Sequence, residues 1–356
     1  MIETPRVMPE RLPERVDPLS DLLGSMHLAG TVLFRAEFRE PWAVQTPNAC
    51  QLAGVLPFRT EHVIPFHVVA SGGCWLDMPA RDPVWLADGD AVLLPHGASH
   101  RLRGSVAVEP VPVGRLLPPP PWHDIVVVEH GGLGAGTRVI CGFVQCDELL
   151  FHPILRNLPA LLHVSPNATP SDEWLASTIR RTAAEASRPV PGSRSMLPRL
   201  TELMFVEILR KYMQGLSADE AGWFAAFNDP VAGAALRCLH ASPMGDWTVP
   251  TLAREVGVSR TVLAQRFRRF LEQPPMQYLA GWRLQLAAQH LKSTDLPVKT
   301  VADRTGYGSE AAFSRAFKRR FGLSPADWRK RQSPQATKGT ATRVRPRGRP
   351  GVGLRA

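Results

Sequence analysis

The sequence has no uninterrupted apolar run near the roughly 20 residues that a membrane-spanning helix needs. Its first 16 residues are too charged and too often broken by proline for a secretion signal. Cysteine is scarce, with 5 in 356 residues and no Cys-x-x-Cys pair, and the odd number argues against a disulfide framework. We therefore expect a cytoplasmic protein without a membrane partner.

Acidic residues are few where basic ones collect. Residues 229–331 carry 17 Lys and Arg against 8 Asp and Glu, and residues 332–356 carry 6 against none. Residues 1–228 are net acidic, with 19 Lys and Arg against 24 Asp and Glu. A basic C-terminal third beside an acidic remainder indicates a polyanionic partner for that third, although a solvated basic surface is the alternative.

The length of 356 residues predicts two or three folded units. The fold class that we predict is multidomain α+β, with an N-terminal antiparallel β-barrel, a helical linker and an all-α C-terminal domain with two helix-turn-helix units. The predicted segments are a disordered leader, a β domain, a helical linker that could dimerise, an all-α domain and a disordered basic tail, over residues 1–16, 17–165, 166–228, 229–331 and 332–356.

The first half of the chain has short β-type segments separated by Gly and Pro, a pattern typical of a sandwich or barrel. The predicted strands are Gly30–Phe38, His62–Ala70, Val84–Leu86, Ala91–Leu94, Ile125–Glu129 and Thr137–Val144. Gly132, Gly134 and Gly136 precede a strand instead of opening a helix, so we interpret them as a hairpin turn and not as a nucleotide-binding loop.

Helical patterns begin after residue 170, over residues 171–187 and 193–214. In the second helix, apolar residues recur at helical spacing, and they either pack on their own domain or form a dimer seam. These residues are Leu197, Leu200, Met204, Ile208 and Leu209.

An internal repeat is the strongest signal in the chain. Residues Val249 to Gly257 are echoed by Val298 to Gly306, and a second stretch from Ser259 is echoed from Ser309. Each glycine falls where a first helix must end in a tight turn, and each serine can cap a second helix. Helix, glycine turn and capped second helix together predict two helix-turn-helix units.

Each second helix has an apolar stripe and an opposite face of small, amide and cationic side chains. Such a face suits the major groove, because small residues permit close approach while Gln and Arg read base edges and flanking Arg residues contact phosphates. The predicted DNA-binding residues are Arg260, Thr261, Ala264, Gln265, Arg268, Arg269, Ser309, Glu310, Ala311, Ser314, Arg315, Lys318 and Arg319.

A helix over Pro275–Leu291 is predicted between the two units, roughly 25 Å long at ~1.5 Å per residue. Successive major grooves on one face of DNA lie ~34 Å apart, so this helix is suited to setting two recognition helices in adjacent grooves of one duplex.

About 100 residues of this third resemble the AraC/XylS family. The resemblance is carried by Leu252-Ala253, Val256-Gly257-Val258-Ser259, Leu263, Phe267, Pro275, Tyr278, Arg283-Leu284, Ala287-Ala288, Val301-Ala302, Gly306-Tyr307, Ser309-Glu310, Phe313 to Lys318 and Phe321 to Pro325. It implies a seven-helix domain that binds double-stranded promoter DNA, with RNA polymerase as a further partner and a homodimer as an option. An activator is the role that we name for it, while the sequence leaves activation and repression both open. Because Thr261 and Ala264 are small in this chain, base preference at those positions does not carry over.

The N-terminal part resembles the cupin-type sensing domain of such regulators. Gly89, Pro95, Gly97 and His100 fit the second cupin half-motif, Gly-x5-Pro-x-Gly-x2-His. The first half-motif is absent, since His62 and His67 are five residues apart without a well-spaced Glu. We therefore expect no metal, no cofactor and no catalytic residue, and a metal-dependent cupin enzyme with an accessory helical domain is the alternative.

The effector of the sensing domain is not identified by these motifs. We expect a small molecule or a redox signal, in a pocket formed by His67, Trp75, His100 and Cys141. Buried small hydrophobes are the alternative role for the cysteines, because no cationic setting that would lower a thiol pKa is visible around them.

Overall fold

The structure is a computed structural model that describes residues 17–24, 28–49, 51, 62–119, 122, 124–146, 157–165, 173–217 and 220–332. The predicted disordered ends, 1–16 and most of 332–356, lie outside these residues. The chain divides into two compact units, Met1–Leu286 and Ala287–Ala356. In the described part of the chain, no helix is long and apolar enough to cross a membrane.

The strands of the first unit form two sheets. In chain order they are β1 Ala29–Arg39, β2 Ala43–Thr46, β3 His62–Ser71, β4 Gly73–Asp77, β5 Val84–Ala87, β6 Ala91–Leu93, β7 His100–Arg103, β8 Val111–Pro112, β9 Val126–Gly131, β10 Gly136–Cys146 and β11 Leu162–Val164. One sheet has the order β11-β6-β3-β10-β1-β9, and the other has the order β5-β4-β7-β2-β8.

One apolar cluster joins the two sheets. It takes Phe34 and Phe143 from the larger sheet and Leu76 and Leu102 from the smaller one, all at most 8% exposed. Side chains of a strand alternate between its faces, and in β4 this alternation places Cys74 and Leu76 in the core and Trp75 and Asp77 outside it.

The glycine-rich link between β9 and β10 is not a hairpin turn, contrary to the sequence interpretation. Both strands pair with β1, on opposite sides, and β9 runs parallel to it. The link therefore passes the end of β1, where the Gly132 amide donates to the Arg39 carbonyl and the Gly134 amide to the Glu40 carbonyl, each at 2.9 Å. The repeated glycines permit this close approach, because a Cβ at Gly132 would lie 2.6 Å from the Glu40 oxygen.

The helices follow one another along the chain with short connections in its last third. In chain order they are α1 Pro18–Gly24, α2 Glu173–Ser187, α3 Ser193–Gly215, α4 Trp223–Asn228, α5 Pro230–Ala241, α6 Val249–Glu255, α7 Arg260–Leu271, α8 Pro275–Ser293, α9 Val298–Arg304, α10 Glu310–Phe321 and α11 Pro325–Gln332. The seven helices α5 to α11 cover the predicted DNA-binding third.

The apolar stripe of α3 packs within its own unit. Leu197, Met204, Ile208 and Leu209 are at most 5% exposed, and α3 packs on β1 and α2. The packing alternative is therefore the one that applies to these four side chains, while Leu200 is half-buried.

Two glycines offer a matched test of how tightly β10 is packed against its neighbours. A Cβ at Gly142 in β10 would lie 2.2 Å from the Thr31 carbonyl and 2.6 Å from the Phe66 ring, whereas a Cβ at Gly281 in α8 would meet nothing within 4 Å. Gly142→Ala should lower the free energy of unfolding by about 1–3 kcal/mol. Gly281→Ala should raise it by up to about 1 kcal/mol. Equal effects on the urea midpoint would contradict this placement of β10.

Candidate nucleic-acid interface and buried histidine cluster

The first helix-turn-helix unit is built by α6 and α7. Thr248 and Thr251 cap the start of α6 reciprocally, and Gly257 makes the turn with a φ of 71°. The Ser259 hydroxyl then accepts a hydrogen bond from the Val262 amide at 3.2 Å, which caps α7 as predicted.

One face of α7 is buried. Leu263 and Phe267 are fully inaccessible, and Phe270 and Leu271 are at most 4% exposed. Because a helix turns by 100° per residue, this stripe directs residues 261, 265 and 268 to the opposite side. Thr261, Gln265 and Arg268 are exposed there.

The second unit repeats this construction within α9, α10 and α11. Gly306 makes the turn with a φ of 77°, and the Ser309 hydroxyl accepts from the Ala312 amide at 3.2 Å. Below α10, Phe313 and Phe317 are fully buried, and the Phe317 ring lies 5.8 Å from that of Trp328. The Trp328 indole donates to the Ala288 carbonyl at 3.2 Å, so α11 is fixed to the end of α8.

The predicted DNA-binding residues lie on the outer faces of these two helices. Ala264 and Ser314 are half-buried. Exposed are Arg260, Thr261, Gln265, Arg268, Arg269, Ser309, Glu310, Ala311, Arg315, Lys318 and Arg319. The structure thus keeps each set together on its own helix, and the contact of these residues with DNA stays a prediction.

Two cations near this surface have structural contacts. Arg266 pairs with Asp229 at 3.2 Å, and the same Asp229 caps α5 by accepting from the amides of Val231 and Ala232. The Arg269 guanidinium lies 5.1 Å from the centre of the Phe270 ring. The Arg266 pair therefore ties α7 to α5, a role that the sequence reasoning missed because the partner is 37 residues away.

A polar network behind α7 was also missed from sequence. His240 of α5 stacks on Trp282 of α8 at 4.3 Å, and its Nε2 lies 2.8 Å from the Tyr278 hydroxyl. Tyr278 also accepts from the Trp223 indole at 3.2 Å, while His240 Nδ1 lies 3.3 Å from Asp21 of α1. The network joins four helices of the compact unit Met1–Leu286, namely α1, α4, α5 and α8.

A buried cluster of two histidines and a cysteine bridges the two sheets. His67 and Cys141 stand opposite each other on β3 and β10, and His100 begins β7 in the other sheet. His67 Nδ1 lies 3.0 Å from Cys141 Sγ, and His67 Nε2 lies 2.7 Å from His100 Nε2. All three are at most 4% exposed.

The Ala98 carbonyl determines which nitrogen of each histidine in this cluster carries the hydrogen. The Ala98 oxygen can only accept, so His100 Nδ1 carries the hydrogen that it donates across 2.9 Å. In a neutral His100, Nε2 must then accept from His67 Nε2–H, which leaves His67 Nδ1 to accept from the Cys141 thiol. The three groups thus form a directional chain of hydrogen bonds in which none is charged.

Burial maintains this neutral state. It lowers the pKa of His100 to about 4 and lowers the pKa of His67 well below its usual value, with a smaller contribution from His100. Burial also raises the pKa of the Cys141 thiol, with a smaller contribution from Cys74. Cys141 is therefore a thiol and not a reactive thiolate.

Trp75 does not join this cluster. It lies on the outer face of β4, where its ring meets Trp85 edge-on at 5.3 Å and the Arg103 guanidinium at 5.5 Å. Its neighbour Cys74 faces the core instead and influences the pKa of Cys141. Of the four residues predicted to form the effector pocket, the structure brings His67, His100 and Cys141 together. Trp75 is placed outside, because strand alternation gives the inner position to Cys74. The binding of an effector by these residues stays a prediction.

Among the described residues, no three His, Cys, Asp or Glu side chains are placed to hold a metal ion together. The 2.7 Å between the two histidine Nε2 atoms is a hydrogen-bond distance.

Comparison with known proteins agrees with this architecture. A cupin family model matches residues 17–214, and a helix-turn-helix domain model matches residues 252–331. An AraC-like transcription regulator of Streptomyces lividans is 33% identical in an alignment of 327 positions that covers 88% of this chain and 98% of that protein. One of Streptomyces antibioticus is 31% identical in an alignment of 324 positions that covers 90% of this chain and 100% of that protein.

The solved structure of ToxT from Vibrio cholerae covers 87% of this chain and 99% of its own, with 12% sequence identity and a TM-score of 0.34. The family models define a helix-turn-helix regulator with a cupin domain. The chain belongs to the AraC-like transcription regulators. This membership favours a regulator over the alternative of a metal-dependent enzyme.

The neutral histidine pair predicts a pH dependence of stability. An unfolded histidine titrates near ~6.5, whereas His100 has a pKa of about 4, so between these values the unfolded chain binds the extra proton. The contribution of the neutral histidine to the free energy of unfolding should be fully present above pH 6.5. It should be lost as the pH drops towards 4, by up to about 1.4 kcal/mol per pH unit for each proton.

His100→Gln removes the titrating ring but retains an amide that can donate to Ala98. Urea denaturation from pH 7 to 4.5 should show a shallower pH slope in this variant than in the native chain. An unchanged slope would contradict the neutral assignment of His100.

Proposed function

We propose that the chain is a sequence-specific transcription regulator whose α7 and α10 enter adjacent major grooves of promoter DNA. In this proposal the N-terminal unit, with its two sheets as walls of a cupin-type barrel, binds an effector and controls that interaction. The proposed domains are those predicted from the sequence, a sensing domain at 17–165, a helical linker at 166–228 and a DNA-binding domain at 229–331.

The observation that carries the proposal is the division of both helices into faces. Leu263 and Phe267 are fully buried in α7, as Phe313 and Phe317 are in α10, and the opposite faces present amide, hydroxyl and cationic groups. A helix that only supported the core would gain nothing from that combination, whereas a base-reading helix requires it.

The roles within the surface follow from side-chain chemistry. Gln265 can bind adenine through two hydrogen bonds, and Arg315 can bind guanine in the same way. The flanking Arg260, Arg269 and Arg319 are suited to phosphate contacts, which position the helices without reading sequence.

The buried cluster of His67, His100 and Cys141 argues against an oxidant as the effector, which leaves a small molecule. A redox trigger needs a thiolate, and the raised pKa of Cys141 keeps that group protonated. The thiol proton is also engaged by His67. From the family resemblance alone, we further propose RNA polymerase and a second copy of the chain as partners.

Arg315→Ala should weaken binding to a promoter fragment by about 1–3 kcal/mol, roughly 5- to 150-fold, because it removes a base contact. Arg180→Ala, at an exposed arginine of α2, makes the same charge change away from this surface and should leave binding unchanged. Gel-shift titrations of both variants measure the difference.

The same titrations should show a steep loss of affinity as salt rises, since phosphate neutralisation releases counterions. A shallow salt dependence, or an equal effect of the two arginine variants, would contradict the proposed surface.

A further inference from the structure

A cavity of about 330 Å³ lies between the larger sheet and the start of α3. Its apolar lining includes Val32 and Leu33 of β1, Ile125, and Leu197 and Pro198 of α3. At the ~30 Å³ that a water molecule takes up in the liquid, this volume corresponds to about ten non-hydrogen atoms. That is the lower end of the range for small-ligand pockets.

An ion pair lies at the rim of the cavity. Arg194 Nη2 and Nε lie 2.6 and 3.2 Å from the same oxygen of Asp124, and these two residues are the only charged ones in the described lining. Their side chains are 75% and 78% exposed, so the pair contributes little to stability. An incoming anion could therefore replace Asp124 on Arg194 at small cost, and the positive end of the α3 dipole favours that anion further.

The interior of the two-sheet unit offers a less suitable place. His67, His100 and Cys141 are hydrogen-bonded to one another, and aromatic side chains such as Phe34 and Phe143 fill the core around them. A ligand there would have to break the buried chain of hydrogen bonds. The cavity beside α3 needs only the displacement of an exposed carboxylate.

We propose that this cavity is an effector site for a small apolar molecule that carries one anionic group. The apolar part fills the space between β1 and α3, and the anionic group binds the Arg194 guanidinium. The proposal rests on the proposed regulatory function and names the site and the class of the effector.

The start of α3 is able to respond to an occupant. Pro198 lacks the amide that would bond to the Arg194 carbonyl, so the first turn of α3 has one backbone hydrogen bond fewer than a regular helix. Beyond it, α3 is pressed against β1, because a Cβ at Gly30 would lie 2.5 Å from the Thr201 Cβ. A ligand that widens the cavity therefore acts on α3 at its N-terminal end.

The far end of α3 contacts the part of the first unit that holds α7. The Met213 carbonyl accepts from the Asn228 side chain at 3.1 Å, and the Tyr212 ring lies 5.7 Å from that of Phe224 in α4. The Gly222 amide, which precedes α4, donates to the Phe270 carbonyl in α7 at 3.0 Å. A displacement of α3 thus has a continuous physical route to the recognition helix.

The test uses the full-length chain and three probes of similar size. Cyclohexanecarboxylate is the anion, cyclohexanemethanol the neutral analogue and cyclohexanemethylamine the cation. We expect the carboxylate to raise the thermal midpoint most and the amine least, because binding to the native state alone stabilises it. The carboxylate should also change the apparent Kd for promoter DNA by about fivefold or more, a typical coupling between sites.

Variants then locate the site. Val32→Phe fills the cavity and should abolish the shift, while Val127→Phe, at an exposed position 47% accessible on β9, is the matched control and should keep it. Arg194→Ala alters only an exposed side chain, so this variant should fold normally. Without the guanidinium, it should bind the alcohol and the carboxylate with equal affinity.

Three results would overturn the proposal. They are the absence of a carboxylate shift in the native chain, an equal shift in Val32→Phe, and binding without any change in DNA affinity. The DNA titration without probe separates this failure from that of the proposed function. Loss of the site leaves DNA binding intact, whereas absence of DNA binding in the unliganded chain counts against the regulatory function itself.

Discussion

Burial of one apolar stripe on α7 and another on α10 is the constraint on which the DNA-binding part depends. Removing a Leu or Phe side chain from water contributes about 1.5–3 kcal/mol, and each helix buries at least two such side chains fully. A guanidinium cannot be buried in the same way, because the free-energy cost of desolvating an unpaired charge is much larger than the gain from burying its apolar stem. The orientation of Gln265, Arg268, Arg315 and Lys318 towards solvent is thus a consequence of what lies beneath each helix.

In the two-sheet part, burial of one face also determines which side chains lie inside, but with the two-residue alternation of β-strands. Alternation along β3, β4 and β10 directs His67, Cys74 and Cys141 inward, where two imidazoles are tolerated because they are neutral and because each finds a partner. The Ala98 carbonyl orders the whole chain of protons. Because protonation of either imidazole disrupts this order, the stability of the two-sheet part depends on pH.

Features set by local chemistry were predictable from the sequence. The turns at Gly257 and Gly306 and the caps at Ser259 and Ser309 each require one residue type at one place, and the structure has them as predicted. The six predicted strands fall within one or two residues of β1, β3, β5, β6, β9 and β10. The inward position of His100 after the Gly97 turn was also predictable.

Features that depend on residues far apart in the chain were not predictable from the sequence. The outward position of Trp75 depends on how β4 pairs with β5 and β7, which strand composition does not reveal. The crossing of β1 by the Gly132–Ala135 link depends on β9 pairing in parallel with β1, whereas short glycine links usually join neighbouring strands. The partners of Arg266 and His240 lie on other helices, so no local pattern marks them.

Dimethyl sulfate protection of guanine N7 on a bound promoter fragment tests the central claim most directly, because N7 lies in the major groove and is the atom that an arginine reads. Two recognition helices in adjacent grooves predict two protected patches on one face of the duplex, centred about 10 base pairs apart. A single patch, or a footprint that leaves guanine N7 reactive throughout, would contradict it.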